Sequence, residues 1–315
     1  MLQLLLGGSG SGKTTLLYQR IRARAEKGEK SILLVPEQFT SSTEGRIYRE
    51  LEDALSGMVE SFSFTSLAEK ILSTEGGAAV QTLSDAGRAV LVRRALEELQ
   101  DNVHYYHRHR RSAAFCQMAA QTIDELKSAG LSGQQLAQLA GACGAESGKL
   151  SELALIFQGY ETLLARSGMD PSDRLDLAGA RLEEALARHS LPEFLRDRAV
   201  FIDEFDTFNA PKKRLLGAML AALPSVTVAL CDDGAPLLPG DLSLFSGAKQ
   251  VAAQLRQLAR KNGAEVAVPQ LLRKDLRHRN APGLAAVAEL LETGSCTADA
   301  PAGEVRLFAA PSREE

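Results

Sequence analysis

Apolar positions in the first 74 residues alternate between short unbroken runs and helical spacing. Residues 2–6 form an apolar run that ends in glycines. Residues 13–27 carry Leu16, Leu17, Arg20, Ile21 and Arg24 at helical spacing and stop at Gly28. Residues 31–35 are a second apolar run, closed by Pro36. Residues 42–55 read as a helix, with Ile47, Leu51 and Leu55 four apart, and residues 58–64 alternate with period two. Strands alternating with helices predict a parallel sheet covered by helices on both faces.

From about residue 75 to 190 the pattern is helical throughout. Phe115, Met118, Ala119, Thr122, Ile123 and Leu126 form one stripe, ended by Gly130. Ser132-Gly-Gln-Gln135 has the form of a capping box ahead of Leu136 and Leu139. Leu153, Ile156, Phe157, Tyr160, Leu163 and Leu164 make another stripe, ended near Gly168. Asp170-Pro171-Ser172-Asp173 opens a helix bearing Leu175, Leu182 and Leu186.

The strand–helix alternation returns after Pro192. Residues 199–202, 225–230 and 265–268 read as strands, with helices near 212–223, 245–262 and 284–291. Residues 293–303 look like a linker, and 304–309 like a strand that opens a further domain. The expected organisation is a discontinuous α/β lobe (1–74 and 191–298), a helical insertion (75–190), and a linker leading into a following domain (299–315). A chain of this kind reads as part of something longer.

Composition narrows the class. The 315 residues are 45% hydrophobic and 24% charged, with no Trp and 5% aromatics, so aliphatic side chains fill the core. The net charge of −4 gives no support to nucleic-acid binding, but a basic groove can sit on an acidic body. No run is long and apolar enough for a membrane span, and no basic leader precedes Leu4, so a cytoplasmic location is expected. Cys116, Cys143, Cys231 and Cys296 are scattered, without metal-ligand spacing, and are expected to be reduced thiols.

The strongest chemical signal is Gly7-Gly8-Ser9-Gly10-Ser11-Gly12-Lys13-Thr14, followed by Thr15, between the first strand and the first helix. Glycines there let backbone amides converge on one point, and the helix adds its positive N-terminus, which suits a phosphate. Lys13 is placed to reach the β- and γ-phosphates of ATP and Thr14 to ligate Mg²⁺. Asp203-Glu204 ends the strand at 199–202 and fits a Walker B element. Asp203 is a Mg²⁺ ligand candidate, and Glu204 a base or positioner for the attacking water. An acidic strand-to-helix turn is the plainer alternative. Leu230-Cys231-Asp232-Asp233 ends the next strand as either a γ-phosphate sensor or a polar strand end.

Two segments pair hydroxyls with an aromatic at strand ends: Gln38, Phe39 and Thr40, and Phe64, Thr65 and Ser66. Such groups can bond phosphates and stack on bases, or be ordinary loop and core residues. His104–Arg111 is the one concentrated basic–aromatic cluster, either part of a DNA track or a solvated loop.

These motifs together resemble superfamily 1 helicases: the loop at Gly7–Thr14, then Val35-Pro36-Glu37-Gln38-Phe39-Thr40, Ser63-Phe64-Thr65-Ser66-Leu67-Ala68, a helical insertion, and Asp203-Glu204. More narrowly, Leu34-Val35-Pro36-Glu37-Gln38 and Phe201-Ile202-Asp203-Glu204-Phe205-Asp206-Thr207-Phe208 are similar to the N-terminal part of the B subunits of AddAB helicase–exonucleases. The resemblance implies an α/β, RecA-like P-loop NTPase with a parallel sheet and an all-helical inserted domain. It also implies an ATP- and Mg²⁺-binding subunit that pairs with an AddA-type helicase–nuclease subunit. Such a heterodimer acts on single-stranded DNA and double-stranded ends in break repair by homologous recombination. Nuclease and iron–sulfur cluster would belong to the remainder of such a subunit. Because the family draws an arginine from a second motor lobe, these residues alone are expected to bind ATP and hydrolyse it weakly. A small-molecule kinase and a non-catalytic ATP-binding scaffold for DNA scanning are the competing readings.

Overall fold

The structure, a computed structural model, describes residues 1–77, 79–144 and 147–295. The chain divides into two compact units. The first comprises Met1–Ser63, Asp197–Thr207 and the chain from Leu223 onward; the second comprises Phe64–Arg196 and Phe208–Ala222. The linker and strand expected over 299–315 lie outside the described residues.

The first unit is a six-stranded sheet of β1 (Leu2–Gly7), β2 (Ser31–Leu34), β3 (Val59–Phe62), β4 (Ala199–Ile202), β5 (Ser225–Cys231) and β6 (Gln270–Leu272). All neighbours are parallel, in the order β3-β2-β4-β5-β1-β6. Near-continuous apolar runs such as Ala199–Ile202 follow, because both faces of a parallel sheet are covered. The helices of this unit are α1 (Lys13–Ala25), α2 (Thr40–Ser56), α10 (Ser246–Lys261) and α11 (Pro282–Thr293). Leu17 and Ile21 of α1 and Ile47 and Leu51 of α2 bury against Leu5, Leu33 and Phe201. This is an α/β RecA-like fold.

Register sets the working edge. Gly7 lies beside Cys231, and Ile202 lies beside Leu34 and Val228. The ends of β1, β5 and β4 therefore open on one edge. With β5 between them, β1 and β4 are two strand spacings apart, about 9–10 Å. Groups on the β1 turn and the β4 end thus face each other across the end of β5.

The last strand differs from the sequence expectation. Pairing with β1 starts near Val266, through Leu2 N–H to Glu265 O and Ala267 N–H to Leu2 O. It breaks at Val268 and Pro269 and resumes as β6, because proline has no N–H for the ladder. Helix α2 is interrupted at Glu52, where φ is 61°.

The second unit contains α3 (Phe64–Glu75), α4 (Asp85–Glu98), α5 (Ala113–Ser128), α6 (Gly133–Ala140), α7 (Ser147–Ser167), α8 (Asp173–Ala187) and α9 (Ala210–Ala222). Its core includes Val92, Leu96, Ile123, Phe157 and Tyr160. The capping box expected at Ser132 and Gln135 is present with both reciprocal bonds. On α5 the buried face is Cys116, Ala119, Ala120 and Ile123, so Met118 faces solvent rather than the core. A charged cluster is buried within this unit. Asp170, with 0% exposure, binds Lys127, Arg88 and the Tyr160 hydroxyl, while Lys127 also meets Asp173 at 2.8 Å.

Candidate nucleotide site

The turn between β1 and α1 is built on glycine. Gly10 and Gly12 have φ of 80° and 89°, in the left-handed region that disfavours side chains. A Cβ on Gly10 would come within 2.6 Å of the Arg277 Cβ, and one on Gly12 within 2.9 Å of a Leu276 methyl. Gly12 caps α1, whose first turn carries no acid, so its positive end is left uncompensated. Lys13 folds back over the turn and donates to Gly7 O and Gly8 O, both at 2.7 Å. The same ammonium is 3.9 Å from Cys231 Sγ. The buried Ser11 hydroxyl has no hydrogen-bond partner among the described residues.

Asp203 follows β4 and faces this turn. Its backbone N–H extends the ladder to Leu34 O at 3.1 Å, which fixes its position on the sheet edge. The side chain is 5% exposed. It accepts a hydrogen bond from the Glu204 N–H at 3.0 Å and shares the cleft with Thr14. Burial pushes its carboxyl above the usual carboxylate range; the nearby Thr14 hydroxyl, the Glu204 N–H and the charge of Lys13 oppose the rise, and the charge of Glu204 adds to it. Glu204 is exposed and has φ of 63°, an uncommon conformation for a residue with a side chain.

These groups line a cleft of about 530 Å³. Lys13, Thr14, Thr15, Asp203 and Glu204 reach it, as do two arginines that the sequence did not point to, Arg46 and Arg277. Arg46, on α2, lies over the Tyr18 ring at 4.8 Å from its centroid. Arg277 donates to Ser9 Oγ at 3.0 Å, while Leu276 N–H bonds Gly10 O at 3.0 Å, so the segment after β6 is pinned to the turn. No local pattern marks either arginine, since each is defined by residues far away in sequence.

Cation, bare helix end and left-handed glycines make a cradle that fits a phosphate chain. A buried carboxylate beside a threonine hydroxyl is a donor set that fits Mg²⁺. At the end of β5, Cys231 reaches the cleft. Asp232 turns away and accepts from Gly234 N–H at 2.6 Å, and Asp233 pairs with Lys249 at 3.2 Å. Both aspartates therefore shape the strand's own turn.

The two segments nominated for DNA fall in different units. Gln38 and Phe39 are exposed, Phe39 to 39%, in a short turn ahead of α2, and the Thr40 hydroxyl donates to Glu37 O at 2.9 Å. Thr65 and Ser66 are exposed on the first turn of α3. Phe64 is buried, edge-on to Phe208 with 6.0 Å between ring centroids, and so is a core side chain rather than a stacking platform.

The parallel sheet flanked by helices, with a glycine turn between its first strand and first helix, defines the class as an α/β RecA-like fold. Residues 4–288 match the family described as ADDB, N-terminal, and the chain belongs to that family. It is similar to the B subunit of the ATP-dependent helicase/deoxyribonuclease of Desulforudis audaxviator, at 34% identity over 99% of this chain and 27% of the relative. The proteins of the same name in Moorella thermoacetica and Symbiobacterium thermophilum are 32% and 31% identical, over 90% and 100% of this chain and 25% and 28% of the relatives. The chain thus spans about a quarter of the length of these relatives.

Proposed function

We propose that this chain is the ATP-binding, helicase-like lobe of a DNA end-processing helicase–nuclease subunit. Its partner would be an AddA-type subunit, its setting the cytoplasm, and its role double-strand break repair by homologous recombination. The observation that carries this reading is the meeting of Lys13, Thr14 and the buried Asp203 in one cleft at the glycine turn.

Lys13 would exchange its bonds to Gly7 O and Gly8 O for the β- and γ-phosphate oxygens. Thr14 and ionised Asp203 would hold Mg²⁺, which supplies charge neutralisation at those oxygens. Glu204, exposed at the cleft, would orient or deprotonate the attacking water. Arg277 and Arg46 line the same cleft and add positive charge to it. Iron–sulfur and nuclease chemistry would belong to the remaining three quarters of a relative-length subunit. Family membership favours this reading over a small-molecule kinase.

Lys13→Ala in the complete complex tests the reading. Loss of ATP binding together with slowed processing of double-stranded ends supports a working motor lobe. Loss of ATP binding with full processing would make the nucleotide a structural ligand of a scaffold, and phosphoryl transfer to a small acceptor would favour a kinase.

A further inference from the structure

We propose that the loop at residues 103–112, between α4 and α5 in the helical unit, is a contact site for single-stranded nucleic acid. The loop is held by its backbone. Val103 is buried, and the Glu152 carboxylate of α7 accepts from the N–H groups of His104, Tyr105 and Tyr106 at 2.8, 2.8 and 3.1 Å. These amides hold the Glu152 carboxyl below its usual range despite desolvation, so this acid is already engaged by the loop's backbone. The side chains of His104, Tyr105, His107, Arg108 and Arg111 are exposed.

Tyr105 is 56% exposed, edge-on to Tyr106 at 5.1 Å, with the Lys149 ammonium 5.3 Å from its ring centroid. Tyr106 and His109 both lie against Phe115, at 5.3 and 5.7 Å, which stiffens the aromatic row. Arg108, Arg110 and Arg111 follow within four positions and form no ion pair among the described residues. Arginines on the neighbouring helix are paired: Arg93 with Glu97 and Arg94 with Glu98. The loop leads into the N-terminal end of α5, whose first turn has no acid.

Three uncompensated guanidinium groups on a chain of net charge −4 concentrate positive potential in one place. An exposed ring among cations is the combination that holds an unpaired base and its phosphates. A duplex hides its base faces from such a ring, and an acidic peptide offers no flat partner. The choice of nucleic acid over another polyanion rests on the DNA-processing reading; the contact itself rests on this loop.

Fluorescence anisotropy with a labelled oligothymidine, on the 315-residue chain, tests the proposal. Tyr105→Ala should weaken binding by about tenfold. Replacing Arg108, Arg110 and Arg111 by Ala should flatten the plot of log affinity against log salt by about 2, at roughly 0.7 per phosphate contact. Arg93→Ala should leave both unchanged, and circular dichroism checks that every variant is folded. Unchanged affinity and slope in both loop variants would overturn the proposal while leaving DNA binding elsewhere intact. Equal binding of duplex or polyglutamate, insensitive to Tyr105→Ala, would overturn it as well. Failure of the wild type to bind any oligonucleotide would sink both this site and the DNA-processing reading, whereas ATP titration reports on the nucleotide site separately.

Discussion

Thr14, in the first turn of α1, and the buried Asp203, just after β4, meet in one cleft across the end of β5. The two are within reach because Gly7 and Ile202 end on the same sheet edge, two strands apart. This places a hydroxyl and a carboxylate beside an ammonium in a cleft large enough for nucleotide phosphates.

Metal binding needs Asp203 ionised, and burial raises its pKa. Affinity for Mg²⁺·ATP should therefore fall as pH drops through the raised value, above the range where an ordinary carboxylate protonates. Titrations across pH check this, and Asp203→Asn should abolish the effect.

The same shift has a stability consequence. A carboxyl whose folded pKa lies above its unfolded one binds more protons when folded, so its favourable contribution is present below the unfolded pKa and is lost as pH rises through the folded value. Asp203→Asn removes that penalty. The variant should melt higher than the wild type at neutral pH, with the advantage shrinking in acid. Differential scanning calorimetry at several pH values measures it.

Gly10→Ala should cost about 1–3 kcal/mol, from a left-handed residue carrying a Cβ and from contact with the Arg277 Cβ. The displaced Arg277 segment should also weaken nucleotide binding. Urea melts and ATP titrations report the two effects, and wild-type values in both would contradict the tight packing of the turn.

Asp170→Ala would leave Arg88 and Lys127 in the core without their shared partner. Breaking a buried ion pair in this way costs roughly 3–5 kcal/mol. Chemical denaturation should show that loss, while ATP binding in the other unit should change far less.

Much of the scaffold is legible in local pattern. The β1 run, the glycine turn, the α1 stripe, the strand before Asp203 and the Ser132 capping box each follow from residues within a few positions of one another. What escapes local reading depends on partners distant in the chain. Arg277 is defined by Ser9 and Gly10, Arg46 by Tyr18, and the Arg88–Asp170 cluster by four helices meeting. Periodicity also misassigned faces where small residues are enough to fill a contact. Cys116 and Ala120 bury on α5 while Met118 does not, and Phe64 is taken into the core by Phe208. Spacing alone does nominate Lys13, Thr14, Asp203 and Glu204, and all four line one cleft.

Isothermal titration calorimetry with ATP, with and without Mg²⁺, tests the central claim most directly. The wild type should bind Mg²⁺·ATP with measurable heat, and Lys13→Ala should weaken binding about 10–100-fold, as expected for losing charge-assisted phosphate contacts of roughly 1.5–3 kcal/mol. Absence of heat in the wild type, or wild-type affinity in both Lys13→Ala and Asp203→Asn, would contradict a nucleotide site at this turn.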